Sequence, residues 1–471
     1  MSTDRATGTS TLTDALNEAP FSVFHIRALF TSGMGFFTDA YDLFIIGVAL
    51  TLVKAEWHLS TSQATLASSA ALLGAVIGAF VFGRLADVLG RKAIYGLEAA
   101  IMAVAAIASA FAPDITWLIA ARFVLGIGIG GDYPVSATIM SEYANRKDRG
   151  RLVSMVFSTQ ALGLVVGPVV GLTLLGAGIS SDLAWRLMLG LGAIPAMAVI
   201  YLRRTLPESP RYRARVQGDA AGAVASLSAY SDGVISGVRA DEPRIRQRLS
   251  AFLGDRRNLI LLLGTAGSWF LLDYAFYGNT ISTPLILSTV APHAALIQSV
   301  AWSLVIFALA AVPGYALAIV TIDRIGHRRL QWIGFLGMAV AFGIIGLVPS
   351  MTHLVVPFLL VYGISYFFTE FGPNVTTFVL PSEVYPVTSR TTGHGISAGI
   401  AKVGAFVGVY AFPNLEAALG LHLTLLFTAG VAVLGALLTL VLPEPAGLTI
   451  EEASREDLVA AQLGQPELVT A

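Results

Sequence analysis

The sequence predicts an all-α membrane protein with twelve transmembrane helices in two pseudo-symmetric six-helix bundles. Three observations carry this prediction. Of the 471 residues, 55% are hydrophobic and only 13% charged, a balance too apolar for a soluble domain. The apolar residues gather in twelve runs, each near the roughly 20 residues that cross a bilayer as a helix. Landmarks of the first six runs return in the last six at nearly constant displacement, as tandem repetition of a membrane bundle requires.

Residues 1–27 are polar, mix both charge signs and lack the basic-then-apolar order of a secretory signal; a short cytoplasmic lead-in is expected. The first bundle, 28–202, holds runs at 28–53, 64–88, 93–112, 115–140, 152–176 and 184–202. Run one carries Asp39 and Asp42, three residues apart and hence on one helical face. Run two leads into Asp87-Val-Leu-Gly-Arg-Lys92. Run four carries Arg122, then Gly126, Gly128, Gly130 and Gly131, then Asp132-Tyr133-Pro134. The glycines serve close helix approach or a bendable segment. Run five holds Gln160.

The one long polar stretch, a central cytoplasmic loop at 203–257, carries eleven arginines. The second bundle, 258–442, holds runs at 258–284, 296–320, 330–349, 354–379, 391–413 and 421–442. Run seven places Trp269, Asp273 and Tyr277 four residues apart, one stripe down one helical face. Run ten ends in Glu370-Phe-Gly-Pro-Asn374, and run eleven carries His394 and Lys402. Residues 443–471 form a tail. Gly and Pro within the runs predict local helix breaks, which neighbouring helices and water can satisfy.

Basic residues mark every second loop: Arg84, Arg91 and Lys92; Arg146, Lys147, Arg149 and Arg151; Arg324, Arg328 and Arg329. Because basic loops stay cytoplasmic, both termini are expected there. The repeat is equally plain. Asp87, Gly90 and Lys92 recur as Asp323, Gly326 and Arg328, and Leu206-Pro207-Glu208 as Leu442-Pro443-Glu444, all displaced by 236 residues. At a displacement of 241, Ser141, Glu142 and Arg149 match Ser382, Glu383 and Arg390, and Tyr133 pairs with Asn374. Salt bridges at the repeated loops are expected to hold the cytoplasmic ends of two rocking bundles.

The composition also excludes. The chain has no cysteine, hence no disulfide and no thiolate metal site, and its net charge of −1 gives no global basic surface for nucleic acid. No Walker-type loop, no metal-ligand spacing and no nucleophile–base arrangement is visible; no cofactor is expected. Charges within the spans are costly and mark function. The stripe on run seven, an aspartate between two hydrogen-bonding aromatics, suits a polar cavity. Asp39 and Asp42, early in their run, are expected near the cytoplasmic side. Asp132 has a candidate structural partner in Arg122. Several carboxylates with one lysine suggest proton coupling, since buried groups of this kind exchange protons near neutral pH.

Together the twelve-span layout, the repeated Asp-x-x-Gly loops and Leu206-Pro-Glu-Ser-Pro-Arg-Tyr212 resemble the major facilitator superfamily, near its sugar porters. Four longer motifs are similar to its phosphate:proton symporter family: Gly35-Phe-Phe-Thr-Asp-Ala-Tyr-Asp-Leu-Phe44, Gly130-Gly-Asp-Tyr-Pro-Val-Ser-Ala-Thr-Ile-Met-Ser-Glu142, Trp269-Phe-Leu-Leu-Asp-Tyr-Ala-Phe-Tyr-Gly278 and Phe371-Gly-Pro-Asn-Val-Thr-Thr-Phe378. The likeness runs from about residue 30 to 445. It implies a plasma-membrane symporter importing inorganic phosphate, or arsenate, with protons. It further implies that Tyr133, Gln160, Trp269, Asp273, Tyr277 and Asn374 contact phosphate and that Lys402 is the lysine of run eleven. Asp39, Asp42, Arg122 and Asp132 would form a cytoplasmic-side proton route and gate.

The chemistry agrees. A phosphate monoanion facing ionised Asp273 is repelled, so binding calls for a protonated Asp273 and release for loss of that proton. Two other readings stay open: a porter of a sugar, organic acid or organic cation, and a nutrient receptor signalling through its loop or tail.

Overall fold

The computed structural model describes residues 11–231, 238, 244, 248–456 and 458. The rest of the expected lead-in, central loop and tail lies outside the described residues. Among the described residues, twelve helices are long and apolar enough to span a bilayer: α1 (Val23–Glu56), α2 (Thr61–Leu89), α3 (Arg91–Ala110), α4 (Ile115–Tyr143), α5 (Arg149–Gly176), α6 (Ser181–Thr205), α7 (Arg256–Ile281), α8 (Leu296–Ile325), α9 (His327–Leu347), α10 (Val355–Val384), α11 (Arg390–Leu419) and α12 (Leu421–Thr439). Most outrun the apolar segments that predict them, because caps carry the backbone ladder into polar surroundings. Ser60 and Gln63 form a capping box on α2, and the Asp114 carboxylate accepts from the Trp117 N–H at 2.9 Å on α4. Two breaks fall where glycine and proline predict them, α3 at Gly96, φ 104°, and α10 at Gly372-Pro373, whereas α5 is interrupted at Ser158-Thr159 with neither residue.

The repeat is structural as well as sequential. Gly90 and Gly326 share φ 102°, a conformation that side chains rarely adopt. Behind them start α3 and α9, whose free N–H groups meet carboxylates from the repeated Leu-Pro-Glu segments. Lys92 N–H donates to Glu208 at 3.1 Å, and Arg328 N–H to Glu444 at 3.1 Å. Negative charge at a helix N-terminus is the favourable arrangement.

Glycines set how closely the spans approach. A Cβ on Gly126 would lie 1.9 Å from the Ala71 carbonyl oxygen, and one on Gly74 1.9 Å from that of Phe123, so α2 and α4 touch backbone to backbone through reciprocal small residues. Of the two roles open to the Gly126–Gly131 segment, the close approach of α2 and α4 supports packing. Gly126→Val is expected to cost at least the ~1–3 kcal/mol of an overpacked core and to lower the amount of monodisperse protein recovered from membranes. Recovery at the wild-type level would refute the packing role.

One face of the bundle pair carries the described parts of both chain ends and of the central segment, joined by Arg211, which pairs with Glu451 at 2.7 Å and donates to Asn17 at 2.8 Å. On this terminal face the bundles are stitched together. Arg91 joins Asp87 and Glu142 of its own half to the Val387 carbonyl of the other. Arg390 crosses to Glu142 at 3.1 Å, Arg149 to Glu383 at 2.7 Å, and Asp323 accepts from the N–H groups of Gly150 and Arg151. Burial alone would raise the Glu451 carboxyl, but the Arg211 guanidinium holds it down at about 2. A depressed acid stabilises above its ordinary value of 4.5 and loses that contribution only as pH falls toward 2, so this clasp stays charged at physiological pH. The opposite face is open: a crevice of about 470 Å³ runs between the bundles, lined by Leu50, Thr51, Ser68, Ile281, Ser282 and Val409 among others.

Candidate functional site

Midway between the faces, side chains from both halves converge on Lys402 of α11. Its Nζ lies 3.0 Å from Asp273 Oδ2, donates to the Tyr277 hydroxyl at 2.9 Å and to the Tyr133 hydroxyl at 3.3 Å. It also sits over both tyrosine rings, 4.4 and 4.3 Å from their centroids, a cation–π arrangement. Four-residue spacing on α7 delivers Asp273 and Tyr277 to the same ammonium. Trp269, one turn earlier, packs its ring 5.9 Å from that of Tyr133. From α1, Asp39 accepts from Tyr133 at 2.5 Å and from Gln160 at 3.3 Å. Asn374, in the turn that resumes after the Gly372-Pro373 break, donates to Tyr315 at 2.8 Å, and Tyr315 donates to Gln160 at 3.1 Å. The six residues expected to contact phosphate and Lys402 are therefore in one connected network, none more than 4% exposed.

The space beside them is closed. A cavity of about 10 Å³ lies against Gln160, Tyr277 and Thr280, room for one water at most. Ile281 lines both this cavity and the open crevice, so it stands between the network and the nearest opening.

Two expectations are corrected. Arg122 does not pair with Asp132: ten residues along one helix separate them by about 15 Å and turn them to different faces. Asp132 instead meets Arg203 of α6, with oxygen–nitrogen distances of 2.7 and 3.0 Å, and Arg203 also holds Glu98 at 2.9 Å. Arg122 lies near Asp42, 3.9 Å from its carboxylate and donating to its carbonyl oxygen at 3.2 Å. Nor is Asp39 near the terminal face. It sits sixteen residues into α1, about 24 Å from the helix start, in the central network. Beyond the groups of the seal, six charged residues inside the first bundle thus form three tiers: Asp132, Glu98 and Arg203 toward the terminal face, Asp39 in the middle, and Asp42 with Arg122 toward the crevice.

Sequence reasoning missed Tyr315, Glu98 and Arg203. Glu98 was visible as a charge within run three; Arg203 looked like one of many loop arginines, and a lone tyrosine in run eight carries no signal.

The sequence profile described as "Sugar (and other) transporter" matches residues 28–456. The chain is 36% identical to probable inorganic phosphate transporter 1-6 of Arabidopsis thaliana, over 94% of this chain and 96% of that one. It is 36% identical to inorganic phosphate transporter 1-6 of Oryza sativa subsp. japonica, covering 97% of each. With low affinity inorganic phosphate transporter 1 of Petunia hybrida it shares 35% over 94% and 95%. The chain belongs to the phosphate:proton symporter family of the major facilitator superfamily. Among solved structures, the proton:xylose symporter XylE bound to 6-bromo-6-deoxy-D-glucose superposes with a TM-score of 0.77, covering 92% of this chain and 99% of that one at 20% identity; that likeness speaks to the fold. Members of this family are multi-pass membrane transporters, not enzymes.

For a phosphate transporter the charge inventory of the centre is telling. One lysine faces Asp273 directly and Asp39 across Tyr133. Lys402 carries a single positive charge, so it cannot offset both carboxylates at once when both are ionised.

Proposed function

We propose that this transporter imports inorganic phosphate across the plasma membrane in symport with protons, by alternating access between its two bundles. The observation that carries the reading is the Lys402–Asp273 pair at 3.0 Å, enclosed between the halves among neutral donors from Tyr133, Tyr277, Gln160 and Asn374. The anion enters from the crevice past Ile281. A proton on Asp273 frees Lys402 to face it, while the hydroxyls, the two amides and the Trp269 indole offer hydrogen bonds that hold without trapping. When the terminal-face seal opens, Asp273 gives its proton to water, reclaims Lys402 and repels the anion. The basic loops lie on the terminal face, which supports a cytoplasmic placement of both termini and hence the inward direction. Asp42 and Arg122 toward the crevice, and Asp132 toward the seal, are proposed as the gates flanking this proton site. Arsenate, a tetrahedral oxyanion of similar charge, is the expected competitor.

Proteoliposomes with an acidic exterior are expected to accumulate labelled phosphate, and collapse of the gradient to stop it. Uptake indifferent to the gradient would overturn the coupling; competition by sugars but not by arsenate would overturn the substrate. Tyr133→Phe removes one hydrogen bond to a charged group, about 1.5–3 kcal/mol, so the apparent KM for phosphate should rise roughly 10–100-fold. Asn374→Ala is expected to act in the same direction. Unchanged KM in both would exclude these donors from the site.

A further inference from the structure

Glu370 of α10 is a buried carboxyl that the cycle above does not use. It is 0% exposed. Its Oε2 accepts from Asn374 at 2.5 Å, and its Oε1 is buried with no hydrogen-bond partner among the described residues. The titratable groups that face it are Tyr315 of α8 and Tyr366 of its own helix; Tyr315 borders the carboxyl while its hydroxyl donates to Gln160. Among the described residues no lysine, arginine or histidine pairs with Glu370. An ionised carboxylate there would be an uncompensated charge in the middle of the bilayer, so the site is built for a carboxyl that carries a proton.

The group is not isolated. A chain of hydrogen bonds runs from Glu370 through Asn374 and Tyr315 to Gln160, which donates to Asp39 and to the Tyr133 hydroxyl. On its other side, Tyr366 meets Thr280 at 2.9 Å, and Thr280 lines the small central cavity. Substrate contacts at Asn374 and Gln160 therefore disturb the partners of Glu370 directly. We propose that Glu370 is a second proton-carrying carboxyl of the transport cycle, loaded from the crevice side and linked to the substrate site through Asn374, Tyr315 and Gln160; this rests on the proton-coupled reading above. In the step itself the Glu370 O–H bond breaks, the proton passes to water admitted when the terminal face opens, and the carboxyl is left as carboxylate until it is reloaded. The consequence is electrical. One proton with a phosphate monoanion moves no net charge, whereas a second proton moves one positive charge and makes uptake respond to the membrane potential.

The test is the charge carried per phosphate, read from the reversal potential of reconstituted full-length protein. Glu370→Gln is expected to carry one charge fewer than wild type while phosphate exchange persists. At equal pH and about 59 mV inside negative, its accumulation should fall roughly tenfold. The same charge per phosphate in both proteins would overturn the proposal while leaving proton symport intact; a wild type that ignores pH and potential would sink both. Should Glu370→Gln fail to reach the membrane, Glu370→Asp carries the test. It keeps the carboxyl, so wild-type charge per phosphate is expected, with a displaced carboxylic C=O infrared band in the phosphate-binding difference spectrum. No displaced band would overturn the proposal.

Discussion

Asp273→Asn is expected to end accumulation of phosphate against a gradient while leaving exchange of internal for external phosphate running. The amide imitates the neutral carboxyl and keeps its shape, but it has no proton to surrender. Lys402 then faces no anionic competitor from α7, and phosphate holds the ammonium in both access states. Losing a charged hydrogen-bonding rival changes binding by about 1.5–3 kcal/mol, so apparent affinity should rise roughly 10–100-fold and release should slow. Because the carrier no longer unloads its phosphate except in exchange, net uptake should stop even though Glu370 still carries its proton, and acidifying the exterior should not restore it. Counterflow and net uptake measured in the same liposomes separate the two effects. If accumulation survives at the wild-type rate, coupling rests with Asp39 or Glu370, each of which has one carboxyl oxygen with no hydrogen-bond partner among the described residues.

Arg203→Met is expected to be the most damaging single change to the fold. Arg203 is 0% exposed and holds two carboxylates, Asp132 and Glu98, while lying 4.7 Å from the ring centroid of Tyr95. Breaking a buried ion pair by removing one partner costs about 3–5 kcal/mol, because the surviving charge is left uncompensated; here two survive. Thermal stability of the purified protein should drop by many degrees, and little should reach the membrane. The triple change Arg203→Met, Glu98→Gln and Asp132→Asn removes the stranded charges and should recover much of the loss. If Arg203→Met is as stable as wild type, the tier is not a structural anchor.

How much of this was legible beforehand differs by level. The α7 stripe was readable because a helix repeats its face every three to four residues; that local rule puts Asp273 and Tyr277 on one face, and the packing of α11 brings Lys402 to both. The 236-residue repeat foretold Gly90 and Gly326 as equivalent turns, and they share one backbone angle. Asp132 and Arg122 went the other way. Their nearness in the chain suggested a pair, yet the helix that carries both holds them apart, and each finds its partner on another helix. Glu370 stood in the sequence as a lone acidic residue between phenylalanines and threonine, with nothing to say which way it faced.

By itself the sequence determined the spans, their number and the duplication, while the candidate substrate groups came from the likeness of its motifs to the phosphate:proton symporter family. The first three depend on hydropathy, helical period or displacement along the chain, and in a bilayer the backbone must satisfy its own hydrogen bonds within each span. Only the tertiary structure decided which charge answers which, where Asp39 lies in depth, and that Tyr315 links Glu370 to the centre. Those are distances between helices, set by how glycine-lined surfaces let backbones approach, and no spacing along one helix encodes them.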